Sequence, residues 1–223
     1  MEIKHLLIPA VALAAGLAGP AKAATVVAFK GVSGSTVNGV EEGAGVSQFN
    51  LGRSIGLTQN SGATFNSRDW EEGTDKASAL ANNNAIFWGF NTTSAYDLTS
   101  LEISYDRSNT GPSNIAIELF LNGALQGEIF GDSDVSPTGE TALVDLSAFN
   151  AVVGSVFFRL SGWGASSANG TFDIENELAL GSENYGIIIS GDLTVPAVPL
   201  PASLPLLAAG LGGVFALRRR KAG

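Results

Sequence analysis

The stretch "NIAIELFLNG", Asn114 to Gly123, decides how this chain is read. Ile115, Ile117, Leu119 and Leu121 fall on one side of a two-residue alternation, and Ala116, Glu118 and Phe120 fall on the other. That is the pattern of a strand with one buried face. Asn122-Gly123 then marks a hairpin turn, because both residue types tolerate the positive φ such turns need. Register refines the expectation. A two-residue loop pairs Leu121 with Ala124 and sets Ile117 opposite Glu128, mixing the faces. A three-residue loop sets Leu121 against Leu125, Leu119 against Gly127 and Ile117 against Ile129, keeping one face apolar, so a bulged or three-residue turn is expected here.

Working outward, the same short alternating runs recur at 25–29, 85–90, 100–105, 141–146, 155–160, 171–174 and 185–194. Gly, Asn, Asp and Ser separate them, and no long run has a 3.6-residue period. Many short strands with turn residues between them argue for an all-β fold, an antiparallel, jelly-roll-like β-sandwich. Residues 41–83 are the least regular, and "SRDWEEGTDKASALANNN" reads as a short helix or a long loop. The 28 glycines fit a fold rich in turns.

Composition removes whole classes of chemistry. There is no cysteine, and the one histidine, His5, lies in the N-terminal apolar segment. The domain between the terminal segments therefore has neither Ser-His-Asp nor Cys-His catalysis, and lacks the usual zinc ligands. Carboxylate chemistry or an oxygen-ligated metal remains. Between Ala24 and Pro199 stand six basic residues against twenty acidic ones, a net −14 where the whole chain has −9. Nucleic acid and anionic lipid are poor partners for such a surface.

Candidate sites within the domain are few. Trp70, in an acidic loop, and Trp163, in "LSGWGASS", are the candidate sugar platforms, whereas Trp88 in "AIFWGF" reads as core. A buried structural role competes for both. Acidic side chains gather in "RDWEEGTD", "GDSDVS" and "FDIENE". Asp132 and Asp134, in a Gly-flanked loop, are the candidate calcium ligands, with solvated loop charge as the competing reading. No cofactor is called for, and calcium is the one metal left open. Arg107 and Arg159 lie in or beside strands and are expected to pair with nearby carboxylates.

The two ends carry a different message. The N-terminus has Lys4, an apolar run from Leu6 to Gly19, and then Ala21-Lys22-Ala23, small residues three and one positions before a cut ahead of Ala24. That is a secretory signal peptide, residues 1–23, for signal peptidase. An uncleaved anchor is the alternative, but the run is shorter than the ~20 residues of a spanning helix. The other end reads "VPLPASLPLLAAGLGGVFALRRRKAG". It has a Pro motif at Val198, Pro199, Leu200, Pro201 and Ala202, an apolar stretch over 204–217, and a basic cluster at Arg218, Arg219, Arg220 and Lys221. Gly210, Gly212 and Gly213 suit close helix approach in a membrane. The basic cluster holds the C-terminus in the cytoplasm.

Motif, short apolar helix and basic end, in that order, resemble the PEP-CTERM type of bacterial sorting signal in its VPLPA variant. The resemblance covers residues 196–223. It implies recognition of Val198 to Ala202 by an exosortase, an integral-membrane cysteine-type protease or transpeptidase. It also implies a surface or exopolysaccharide-associated destination, and domains that are often jelly-roll sandwiches. The chain departs from the commonest pattern in having Leu200 where Glu normally separates the prolines.

The expectation is therefore three parts: signal-peptide helix 1–23, β-sandwich 24–195, and sorting tail 196–223 with a transmembrane helix. The precursor sits in the inner membrane with its C-terminus inside, and the product reaches the cell surface or extracellular matrix. The domain is read as non-enzymatic and capable of binding polysaccharide. The alternatives are a carboxylate-dependent glycoside hydrolase or lyase and a purely structural matrix or adhesion subunit.

Overall fold

The computed structural model describes residues 23–34 and 36–194; the signal-peptide and sorting-tail segments lie outside the described residues. Fifteen strands and one short helix are present among the described residues, and every strand pair is antiparallel. No helix among them is long and apolar enough to cross a membrane.

The organising element is β7 (Ala85–Arg107), which serves two sheets. Its first part, Ala85 to Thr92, lies between β4 (Val46–Arg53) and β11 (Val152–Trp163). Beyond β11 come β8 (Asn114–Leu121) and the edge strand β9 (Ala124–Asp132). The second part of β7, Tyr96 to Tyr105, pairs with β15 (Ile187–Leu193) and β10 (Glu140–Asp145). β15 carries β1 (Ala24–Phe29), and β1 carries β3 (Gly39–Glu41). The corner between the halves has a local cause. Thr92 Oγ1 donates to the Ser94 carbonyl (2.7 Å) and accepts from the Ser94 amide (3.1 Å), while the register with β11 slips between Val152 and Gly154. A hydroxyl that captures its own backbone plus a bulge turns a strand out of plane.

The two halves close on one core. From the first sheet come Ile86, Trp88 and Phe90, with Val156, Phe158 and Leu160, and with Ile115, Ile117 and Leu119; from the second come Val27, Phe29, Leu101, Ile103, Ile187 and Ile189. Trp88 stacks on Phe158 at 5.6 Å with 9° between the rings, so Trp88 is core as the sequence suggested. At one end β12 (Phe172–Ile174) pairs with both β7 and β6 (Phe65–Arg68). The helix α1 (Lys76–Ala81) is N-capped by Asp75, whose carboxylate accepts from the Ser78 amide at 2.8 Å. It falls inside the segment expected to hold a short helix.

The opening hairpin corrects the sequence expectation. Its loop is the tightest one, Leu121 opposite Ala124, with Asn122 and Gly123 at φ +51° and +80°. The mismatch is absorbed further along instead, by two register shifts in β9 that bring Leu119 opposite Gly127, as expected, and Ile117 opposite Phe130. Turn chemistry set the loop, and the need to keep one face apolar set the bulges.

Candidate functional site

The outer face of the first sheet is where the structure departs from ordinary strand patterning. Strands alternate, so the residues between the core positions point outward: Phe120 on β8, Phe157 on β11, Phe87 and Gly89 on β7, and Phe49 on β4. Register places Phe120 opposite Phe157, Phe157 opposite Gly89, and Gly89 opposite Phe49, one row across four strands. Strand spacing makes that row roughly 14 Å long. Phe87 sits two residues from Gly89, its ring 6.0 Å from Phe157 and nearly parallel to it, and Phe120 meets Phe157 edge-on at 5.8 Å. All four rings are only half-buried.

Gly89 gives the row its shape. A Cβ there would run into the Val156 carbonyl oxygen and lie 3.1 Å from the Phe49 ring, so the backbones approach as only glycine permits. The result is a groove of about 460 Å³ between the rings, bordered by Thr36, Asn50, Gly123 and Ser155. It has an aromatic floor, and its lining among the described residues carries no charge.

Charged groups stand at one end, already paired. Arg159 donates through Nε and Nη2 to Glu118 Oε2 (2.9 and 2.6 Å), and Lys76 from α1 bridges Glu118 (3.1 Å) and Glu128 (2.8 Å). Burial works to raise the Glu118 pKa, and the bonds from Arg159 and Lys76 outweigh it, holding the carboxyl below its usual range. Arg159 thus finds the carboxylate expected of it, with its guanidinium 5.0 Å from the Phe120 ring. Arg107 does not: it donates to the carbonyls of Val135 (2.5 Å), Ser108 and Asn109.

The sequence candidates are placed elsewhere. Trp70 is corrected from platform to core: it is 2% exposed, its Nε1 donates to the Ser67 carbonyl (2.8 Å), and its ring packs edge-on against Phe172. An indole whose polar atom finds a carbonyl has no reason to stay wet. Trp163 is half-buried beside Glu71, away from the aromatic row. Asp132 accepts from the Tyr105 hydroxyl (3.0 Å) and from the Asp134 amide (2.9 Å), and Glu140 shares the same hydroxyl. Asp134 therefore joins this group through its backbone.

A tighter carboxylate cluster lies on the outer face of the second sheet, where β7 and β12 set Asp106 opposite Asp173. Carboxylate oxygens of Asp106, Asp173 and Glu175 lie within 4.8 Å of one another. This is the place among the described residues where a hard, oxygen-seeking cation fits the ligands at hand. Burial, then the charges of its neighbours, pushes Asp106 up to about 6 and Glu175 up to about 7. Asp173 is also raised, by burial, against the bond from Thr64 (2.5 Å) and the charge of Arg53.

A measurable consequence follows for stability. These groups hold their protons more tightly folded than unfolded, where Asp and Glu titrate near 4. The stabilisation is complete below that and is lost as pH rises through about 6 and 7. In chelator-containing buffer the urea midpoint is expected to fall between pH 5 and pH 8, and Asp106→Asn to flatten that fall. A midpoint that is level or rises across this window contradicts the assignment.

No protein-family model matches this chain, and no curated protein matches it. Among solved structures it is similar to a carbohydrate binding module family 29, with 14% identity, 76% of this chain and 89% of that one covered, and a TM-score of 0.41. A mutant of a module of that family gives 15%, 79%, 100% and 0.42. The Podospora anserina GH26-CBM35 beta-(1,4)-mannanase gives 14%, 69%, 29% and 0.36. With every one of these TM-scores below 0.5, any function must be read from the site itself.

Proposed function

We propose that this is an exported envelope or matrix protein whose sandwich, of jelly-roll type, binds polysaccharide on the Phe49, Phe87, Phe120 and Phe157 face. The observation that carries the reading is the uncharged aromatic row across four strands. A pyranose presents a flat face of C–H bonds that suits a π surface, and hydroxyls at its edge that suit the Thr36, Asn50 and Ser155 border. The row is long enough for a short oligosaccharide. Four half-buried rings converging on one groove are also more than scattered surface hydrophobes.

Binding is favoured over hydrolysis by the separation of parts. Glycoside cleavage needs two carboxyl groups ~5–10 Å apart across the scissile bond. The groove lining has none among the described residues, and Glu118 beside it is engaged by Arg159 and Lys76. The acidic cluster sits on the opposite outer face of the sandwich. A purely structural matrix subunit would leave the aromatic row without a ligand, and glycan titration separates the two readings.

Export and sorting belong to the same proposal. β1 begins at Ala24, so a signal-peptidase cut before that residue removes nothing from the sheet. β15 ends at Leu193, upstream of the Val198 to Ala202 motif, so an exosortase acting there leaves the sheet whole. Intact mass of the protein from surface and inner-membrane fractions of an exosortase-bearing host tests this. The surface species is expected to start at Ala24 and end near Pro199 to Ala202. If every molecule keeps Arg218 to Gly223 and stays in the membrane, the sorting proposal is wrong.

A further inference from the structure

The aromatic groove does not stop at Phe87 and Phe157. Past them, towards the start of β7, those two rings also border a recess of about 100 Å³ walled by Ser54, Leu80, Asn83 and Arg159. Its far side is walled by α1 and by the turn before β7. Here α1 lies over the outer face of β11: Ala79 is fully buried, and so is Ser161, two residues beyond Arg159 on that strand. Lys76 pins the helix to β8 and β9 through Glu118 and Glu128. The turn before β7 forms the rest of that wall, with the Ser54 hydroxyl donating to the Asn83 and Ala85 carbonyls. The opposite end of the groove, at the exposed Gly123, is open.

The recess also differs in chemistry from the groove leading to it. Arg159 spends Nε and Nη2 on Glu118, but its Nη1 makes no hydrogen bond to the described residues. The Asn83 side-chain amide makes none either, and its backbone is held at φ +55° by carbonyl bonds from Ser54 and Gly56. A fixed cation with a spare donor and an amide with a donor and an acceptor thus line a recess that α1 and the turn before β7 wall off from the groove's continuation.

We infer that the recess is a terminal subsite, so that the protein grips the end of a glycan chain rather than a segment within it. The inference rests on the glycan reading of the groove. A terminal sugar carries a free hydroxyl where an internal one carries the next glycosidic bond. That hydroxyl accepts from Arg159 Nη1 and donates to the Asn83 side-chain oxygen, while the preceding units lie along Phe87 and Phe157 towards Gly123. An internal unit has no such hydroxyl to offer and drags a chain into α1.

Calorimetric titration of the full chain with neutral gluco-, manno- and xylo-hexasaccharides, and with their soluble parent polymers, tests this. The expected result is one protein per glycan chain at every length, so that protein bound per gram falls in proportion to chain length. Leu80→Trp, which fills the recess from a half-buried helix position, should weaken hexasaccharide binding roughly tenfold or more with an unchanged circular dichroism spectrum. Protein bound per gram that is independent of length overturns the terminal subsite and leaves the glycan reading standing. No binding to any hexasaccharide or polymer removes the glycan reading and the inference with it.

Discussion

Replacing Phe157 by Ala is expected to weaken polysaccharide binding by roughly thirtyfold. Phe157 is the centre of the row: it stacks on Phe87, meets Phe120 edge-on and faces Gly89 across the strand. Removing it takes away a ring and the support for two others, about 2 kcal/mol when apolar contact and ring geometry are combined. The fold should barely notice, because the ring is half-buried on the outer face; a cost of about 1 kcal/mol is typical of such a site. Binding measured by affinity electrophoresis in a polysaccharide gel, beside a thermal melt, reads both quantities. Unchanged retardation would show that the row is not the site.

One residue further on, the outcome inverts. Phe158→Ala is expected to cost about 4 kcal/mol of stability, on the scale of buried Phe truncations, and to lower Tm by about 10 °C for a domain of this size. Phe158 is fully buried and stacks on Trp88, so the change opens a void between the two sheets. The groove rings stay in place, and any molecule that remains folded should bind glycan normally. A Phe158 variant as stable as the parent would mean that β11 is in a different register, which would move Phe157 off the outer face as well.

That pair of neighbours also shows where sequence legibility ends. Alternation in "NIAIELFLNG" correctly put Phe120 on the face away from Ile117 and Leu119, because one face of that strand is plainly apolar. In "AIFWGF" both faces are apolar, so the sequence offers no sign that Phe87 is wet; "SVFFRL" does set Ser155, Phe157 and Arg159 against Val156, Phe158 and Leu160, but one half-polar strand does not reveal a shared groove. Only register brings Phe87, Phe157, Phe120 and Phe49 together from four strands. β4 was invisible for a related reason: a slip between Phe49 and Gly52 breaks its alternation. β7 was legible as two strands, since the corner at Thr92 to Ser94 carries no apolar signal. Asp106 belongs with Asp173 through a cross-strand pairing that spacing along the chain cannot reveal.

Of the two tryptophans, Trp70 is core, whereas Trp163 is half-buried and apart from the aromatic row. Trp70 and Trp163 stood out because they lie among polar residues, yet Trp70 is the more buried of the two, held by the Ser67 carbonyl and Phe172. Phenylalanine, with no polar atom to satisfy, escapes attention as core. Its half-exposure on a sheet face is therefore the more telling signal, since nothing in folding requires four such rings to share one groove.

The most direct test of the glycan-binding face is an amide chemical-shift map of the isotopically labelled protein, titrated with a soluble polysaccharide that retards it in a gel. Perturbations are expected at Phe49, Phe87, Gly89, Phe120, Ser155 and Phe157, with Asp106, Asp173 and Glu175 on the opposite face unmoved. Shifts centred on Trp163 or on the acidic cluster, with the aromatic row silent, would contradict the account.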